Sequence, residues 1–233
     1  MKKVYILIAL TIITSAAIAQ RTGRSPSLGF GVQVVEPKGQ FAEEFDGYPA
    51  GFSGTFAAPM GNSPFEIGVS VSWNNMGSQR EDVDIYVYTD ENGIDIYEPG
   101  DMSVKSNNNR YLLLGRFRPL GGGFQPYVEG LTGVETYVTK TDVSIDDNSF
   151  EGVSNTDRQH WDMALSLGWA AGLRIRMSQS IFLEARFENL RSGRATFVNK
   201  DSIIINSDNS LEFETRESRT DKWTYQLGLA FEF

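Results

Sequence analysis

The chain has 233 residues, 40% of them hydrophobic and 12% aromatic, which suits one domain of ordinary size. Its mean hydropathy of -0.28 is slightly polar, and beyond the N-terminus no apolar run approaches the ~20 residues that a membrane-crossing helix needs. Helical membrane proteins are thereby excluded, and so are disulfide frameworks and lipoprotein attachment, because there is no cysteine. Thirty acidic residues against 21 basic ones give a net charge of -9, which argues against nucleic acid as a partner.

Residues 1–19 read as a processing segment: Lys2 and Lys3 form the charged start, Val4 to Ile13 the apolar middle, and Ala17 and Ala19 precede a cut before Gln20. The expected mature domain is 20–233. Removal of Lys2 and Lys3 leaves 19 basic residues against 30 acidic ones, a net charge of -11.

Eight segments then alternate apolar and polar residues with the period of a strand. In Leu28 to Val34, Leu28, Phe30, Val32 and Val34 oppose Gly29, Gly31 and Gln33. Ala50 to Ala57 sets Phe52 and Phe56 against Gly51, Ser53 and Thr55, and Phe65 to Trp73 sets Phe65, Ile67, Val69, Val71 and Trp73 against Glu66, Gly68, Ser70 and Ser72. Tyr111 to Arg118 opposes Tyr111, Leu113 and Phe117 to Leu112, Leu114, Arg116 and Arg118. Gln125 to Val138 places Tyr127, Glu129, Glu135 and Tyr137 together, opposite Val128, Val134 and Val138. Trp161 to Arg176 is the longest: Trp161, Met163, Leu165, Leu167, Trp169, Leu173 and Ile175 oppose a face that ends in Arg174 and Arg176. Ile181 to Glu188 puts Phe182, Glu184, Arg186 and Glu188 on one face. The last segment, Tyr225 to Phe233, aligns Tyr225, Leu227, Leu229, Phe231 and Phe233 and ends the given sequence on a bare aromatic.

Short and long connections alternate strictly. Pro59 to Pro64, Pro119 to Gly123 and Met177 to Ser180 are short, whereas Glu36 to Tyr48, Asn75 to Asn109, Thr139 to His160 and Arg191 to Asp221 are long. Every acidic residue falls either in a long connection or on the polar face of a segment, as Glu66, Glu129, Glu135, Asp162, Glu184, Glu188 and Glu232 do. A soluble sandwich would place carboxylates on its water-facing sheets, so this distribution points to lipid against the apolar faces.

Together with the leader and the terminal Phe233, the run Pro126-Tyr127-Val128-Glu129-Gly130, followed by Gly133, resembles the small outer-membrane β-barrel domain family, which includes the membrane domain of outer membrane protein A and outer membrane protein X. The resemblance covers the whole mature chain. It implies an eight-stranded antiparallel transmembrane β-barrel with extended extracellular hairpin loops, located in the cell outer membrane. It further implies that outer-membrane lipid and lipopolysaccharide surround the wall, and that the barrel assembly machinery reads the final strand through Tyr225, Leu227, Leu229, Phe231 and Phe233. Family members include adhesins, envelope-stabilising proteins, small-molecule conduits and subunits of larger machines.

Two stretches complicate the strand number. Val83 to Tyr97 turns at Asn92-Gly93 and Ser202 to Glu214 turns near Ser207 to Ser210, each a hairpin signal. Their arms fall short of the ~9–11 residues of a spanning strand, so they read as hairpins above the membrane, with ten strands as the alternative.

No catalytic, cofactor or metal site is expected. His160 is the single histidine and has no accompanying serine motif, so neither a lipid-modifying hydrolase nor a metal centre follows from it. The acidic stretch Glu81 to Asp101 matches no calcium-loop spacing. Tyr86, Tyr88 and Tyr97 interleave its acids, a composition suited to a protein partner at the outer loops. The stronger signal is a lumen charge network of Glu66, Arg116, Arg118, Glu129, Arg174, Arg176, Glu184, Arg186, Glu188 and Glu232, expected to pair as salt bridges that hold a narrow barrel closed, because buried charges must be paired. A narrow conduit for small solutes is the alternative, since inward glycines could leave pockets open toward the loops.

Overall fold

The computed structural model describes residues 25–44, 47–89, 91, 93–145, 155–198, 204–205, 211–212 and 214–233; the expected leader lies outside them. In chain order the elements are β1 (Ser27–Pro37), α1 (Gln40–Glu44), β2 (Ala50–Pro59), β3 (Phe65–Thr89), β4 (Asp95–Phe117), β5 (Phe124–Ile145), β6 (Asn155–Arg176), β7 (Ile181–Ser192), β8 (Arg194–Val198), β9 (Ile204–Ile205), β10 (Leu211–Glu212), β11 (Thr215–Arg219) and β12 (Lys222–Glu232).

Eight of these strands close a barrel in the order β1, β2, β3, β4, β5, β6, β7, β12, with β12 pairing back onto β1. All pairings are antiparallel, from Ser27↔Ala57 between β1 and β2 to Leu28↔Phe231 across the closure. Closure leaves no open edge in the wall, as a bilayer requires of backbone that has no water to bond.

Side-chain parity turns the usual core inside out. Leu165 is 73% exposed on the outer face and Leu113 60%, whereas Arg174 is 0% exposed and Glu129 3% on the inner face. Aromatic residues flank this apolar band. Phe65, Phe117 and Phe124 lie at the short-turn end, and Trp73, Tyr111, Trp223 and Tyr225 toward the loop end. Phe65 and Trp73 are eight positions apart on β3, which at ~3.3 Å per residue and a tilt of ~40° places the girdles about 20 Å apart.

The wall strands fall into two lengths. β1, β2, β7 and β12 have 11, 10, 12 and 11 residues, which matches one crossing, but β3 to β6 have 25, 23, 22 and 22. Pairing of β2 with β3 stops at Ala50↔Asn75, and pairing of β6 with β7 stops at Ser166↔Ser192. Beyond those points β3, β4, β5 and β6 continue as a four-stranded sheet that stands clear of the barrel, with bulges at Asn75/Gly77 and Tyr86/Tyr88. The hairpin expected at Val83 to Tyr97 is therefore the tip of two wall strands rather than a separate element, and the alternative of ten barrel strands does not hold. Within Ser202 to Glu214, β9 and β10 pair as Ile205↔Leu211 in a small sheet outside the wall, the turn between them lying outside the described residues. β8 and β11 form a further hairpin that sits against β6 through Gly193 N–H to the Leu165 carbonyl, 2.8 Å, and Thr196 N–H to Asp162, 2.7 Å.

Candidate functional site

The inward faces of the wall strands other than β2 contribute polar side chains to one continuous column of hydrogen bonds and ion pairs. At the short-turn end Arg118 binds Glu66 (Nε to Oε1, 2.7 Å) and also reaches Gln125 and Glu232. Arg116 donates to Glu129 at 2.6 Å and lies 3.5 Å from Glu66. Arg186 donates to the other oxygen of Glu129 at 2.9 Å and pairs with Glu188. Beside this line Glu184 accepts from Arg174 Nε and from the Tyr127 hydroxyl, both at 2.8 Å. The Tyr127 ring lies under the Arg116 guanidinium, 4.3 Å from its centroid, so the aromatic face and the two carboxylates bracket the same cation.

The column continues past the residues read from the sequence. Arg110 donates to Glu188 at 2.7 Å, to Ser72 at 2.7 Å and to Gln33 at 2.9 Å. Gln33 leads through Asn74 to Asn108, and Asn108 donates to Glu135. Glu135 pairs with Lys222, and the Tyr137 hydroxyl accepts from Lys222 at 2.9 Å and donates to Glu135 at 2.8 Å. Arg110, Arg116, Arg118, Arg174, Arg186 and Lys222 thus face Glu66, Glu129, Glu135, Glu184, Glu188 and Glu232, an equal number of each sign. Equal and interleaved charge is what lets so many ions leave water together.

Of the residues named from the sequence, Arg176 stands apart. It ends β6 at the rim, is exposed, and its guanidinium lies over the Phe182 ring at 5.3 Å rather than against a carboxylate. Its parity is inward but its height is too low. Conversely, Arg110 and Lys222 were missed because they sit one and three residues before the alternating runs that begin at Tyr111 and Tyr225. Extending the parity of Leu112, Leu114 and Arg116 back by two residues reaches Arg110, and that of Gln226 reaches Lys222. The backbone of His160 pairs with Thr139 on β5, and its side chain lies outside the described residues, as do those of Glu81 and Tyr86. Among the described residues no group of acidic or histidine side chains is arranged to hold a metal ion.

The inward glycines do not leave the pockets their missing side chains suggest. The Tyr127 ring occupies the space over Gly172, where an added Cβ would lie 2.2 Å from Cζ. Gln226 covers Gly31, Asn74 covers Gly51 and Glu184 approaches Gly29 in the same way. A depression of about 940 Å³ is lined mainly by outward side chains such as Val32, Phe52, Leu173 and Phe187, and so belongs to the lipid-facing surface.

At the loop end a second seal appears. Phe41 of α1 is 0% exposed and packs with Met76, Tyr137, Ala164 and Ala195, its ring edge-on to Tyr137 at 6.0 Å. The expectation that any cavity would open toward the loops is thereby reversed, because the first long connection folds back into the mouth. On the outer face of the final strand, Tyr225, Leu227, Leu229 and Phe233 are exposed and Phe231 half-buried, with Phe233 N–H bonded to the Pro26 carbonyl.

A closed antiparallel wall of eight strands, apolar outside between two aromatic girdles and ionic inside, admits one solvent arrangement: lipid around it. The chain has the fold of the small outer-membrane β-barrels. No protein-family model and no curated protein sequence matches it. Among solved structures it is similar to Ail, the attachment invasion locus protein of Yersinia pestis, in complex with the heparin analogue sucrose octasulfate (17% identity, 90% of this chain and 97% of that one, TM-score 0.41). It is also similar to Neisserial surface protein A (10% identity, 89% and 97%, TM-score 0.43) and to a major outer membrane protein of Thermus thermophilus (12% identity, 90% and 100%, TM-score 0.46). The three short turns gather at one end of the barrel and the long strands rise from the other.

Proposed function

We propose that the protein is a non-enzymatic outer-membrane barrel, exported with cleavage of residues 1–19, that holds a sheet above the cell surface for contact with a protein partner. The observation that supports this reading is the mismatch of strand lengths: β3 to β6 carry about 12 residues each beyond the ~9–11 that a crossing uses. Lipid anchoring does not call for that extension. It creates a paired backbone platform, and beyond Asn75 no described strand pairs with the outer edge of β3.

A ligand inside the barrel is disfavoured, because the lumen is filled by its own ion pairs. Surrounding lipid and lipopolysaccharide, and recognition of Tyr225, Leu227, Leu229, Phe231 and Phe233 by the barrel assembly machinery, complete the proposal. The decisive experiment replaces residues 78–105 by a two-residue Asn-Gly turn, cutting the sheet above the barrel. Wild type and variant are then purified from native membranes in mild detergent and the proteins that accompany each are quantified. A partner present with wild type and lost with the variant, at equal barrel yield, is the expected result. The same companions on both, or none on wild type, would remove the basis for the reading.

A further inference from the structure

We propose that the wall formed by β1, β12 and β7 holds one anionic, phosphate-bearing lipid, with its chains in the outward depression and its phosphate among Arg191, Arg194 and Arg219. The inference rests on the membrane reading above and names the lipid chemistry that this wall selects.

Side-chain size shapes the apolar half of the site. Ala50 on β2, Ala171 on β6 and Ala185 on β7 lower the outward surface among the larger Phe52, Phe187 and Leu227, and all six line the depression of about 940 Å³. Ala185 is paired across the ladders with Leu173 on one side and Leu227 on the other, so the low point lies between two bulky neighbours. The rings that line the depression are held by one another, Phe52 on Trp73 at 6.4 Å between centroids and Phe187 on Tyr225 at 5.3 Å. Rings already fixed lose little freedom when a chain lies against them.

Three adjacent strands lead from this depression to cations. In outward parity β1 runs through Val34 and Glu36 to Lys38, β7 runs through Phe187 and Asn189 to Arg191, and β12 runs through Tyr225 and Trp223 toward Arg219 at the end of β11. Lys38 Nζ caps the Trp223 ring at 3.8 Å, and the Tyr225 hydroxyl donates to Glu36 at 3.1 Å, which marks the change from apolar to polar surface. Arg194 and Arg219 are direct register partners on the exposed face of the β8–β11 hairpin, whose other face buries Ala195 and Ser218. Like charges directly opposite in a ladder are destabilising, and a phosphate between them turns that repulsion into attraction.

The carboxylates of this region are engaged elsewhere. Glu36 pairs with Lys38, Asp221 accepts from Ser192 N–H at 3.0 Å, and Glu217 lies 3.6 Å from Arg194. The bond from Ser192 to Asp221 also ties the strand end that carries Arg191 to the one that carries Arg219. Among the described residues neither of these two arginines has a carboxylate partner. A guanidinium fork matches two phosphate oxygens, so a lipid with net negative phosphate fits here, whereas a choline headgroup brings a cation of its own.

The test inserts the full-chain barrel in phosphatidylcholine nanodiscs that contain a minor share of phosphatidylglycerol or, in a second arm, of lipid A. Folding is checked by circular dichroism, and the lipid that stays with the protein on release is counted by native mass spectrometry. The expected result is a single retained lipid, with the anionic species enriched roughly tenfold over its share of the bilayer in at least one arm. That arm identifies whether the phosphate comes from a phospholipid or a glycolipid. Arg191→Gln with Arg219→Gln should lower the enrichment to about twofold or less. Lys105→Gln with Lys140→Gln should leave it in place, because these exposed register partners stand on the sheet beyond the barrel, away from the depression. Ala185→Leu fills the depression without touching a cation and should reduce the retained lipid about fivefold; Ala50→Leu repeats this measurement should Ala185→Leu fail to fold. Equal losses from the arginine and lysine pairs would mean general attraction to basic surface, and retention unmoved by filling the depression would mean that the chains lie elsewhere; either result overturns the site. A barrel that inserts but retains lipids in the proportions of the bilayer overturns this site alone, whereas one that does not insert overturns the membrane reading as well.

Discussion

Glu184 and Arg174 face each other across the β6–β7 ladder as a register pair, yet they are not equally dependent on one another. Glu184 keeps the Tyr127 hydroxyl, and Arg116 at 4.0 Å, when Arg174 is removed, whereas Arg174 uses only its Nε and both its terminal nitrogens are buried without a hydrogen-bond partner. Removing one partner of a buried pair typically costs about 3–5 kcal/mol through the charge it strands. Glu184→Ala should fall in that range, and Arg174→Ala should cost about 2 kcal/mol, because the carboxylate it leaves is still partnered. The double variant should cost less than the sum of the two, by about 1–2 kcal/mol, in a cycle of denaturant unfolding measured in lipid. Additive losses would show that the contact carries no energy. The same neighbourhood shows what a one-dimensional reading of the site reaches. Parity alone identified Glu66, Arg116, Arg118, Glu129, Glu184, Arg186, Glu188 and Glu232 as inward, because in a strand the face is fixed by counting in twos. Height along the barrel axis is not fixed that way, which is why Arg176 was grouped with residues it does not meet, and why Arg110 and Lys222, two cations central to the column, went unnoticed.

The β5–β6 ladder depends on a side chain that is missing. Tyr127 pairs with Gly172 across the ladder, and its ring lies flat over that glycine to present its hydroxyl to Glu184 and its face to Arg116. Gly172→Ala would drive a Cβ to 2.2 Å from the ring carbon Cζ, so the ring must leave its place and the contacts to both charges go with it. The expected loss is about 2–3 kcal/mol, as for overpacking a well-filled interior, and Tyr127→Ala added to Gly172→Ala should recover part of the clash. Equal unfolding midpoints for wild type and Gly172→Ala would refute this account of the glycine. Elements of this kind were legible where their alternation was uninterrupted: the eight crossings were visible because lipid outside and ions inside impose opposite chemistry on successive residues. Beyond the barrel one face of the sheet stays buried at Met102 and Val104, but a bulge at Asn75/Gly77 breaks the alternation on β3, and β3 to β6 therefore run well past the last residues that uninterrupted alternation could mark. α1 was illegible for another reason: one buried ring in a five-residue helix leaves no periodic trace.

For the molecule as a whole, the open question is whether anything passes through it. Eight strands enclose an interior that side chains can fill, and here the filling is layered. Arg118 and Arg116 with Glu66, Glu129 and Glu232 cross the short-turn end, Arg110 with Glu188, Ser72 and Gln33 crosses the middle, and Lys222 with Glu135, Tyr137 and Phe41 crosses the loop end. For a path to form, at least two buried arginines would have to abandon their carboxylates at once. Each such break costs on the order of 3–5 kcal/mol, which makes the joint event rarer than about one in 10⁴. Purified protein in a planar bilayer at neutral pH should therefore show no steady single-channel current, and Phe41→Ala should leave the bilayer equally silent, because the two layers beneath stay closed. Arg110→Ala combined with Arg116→Ala should be the first variant to admit current, because it opens the middle and short-turn layers together. Reproducible ohmic steps from wild type, altered in size by replacing Arg110 or Arg116, would mean that the ion column is a selectivity element rather than a seal, and the protein would then be a conduit.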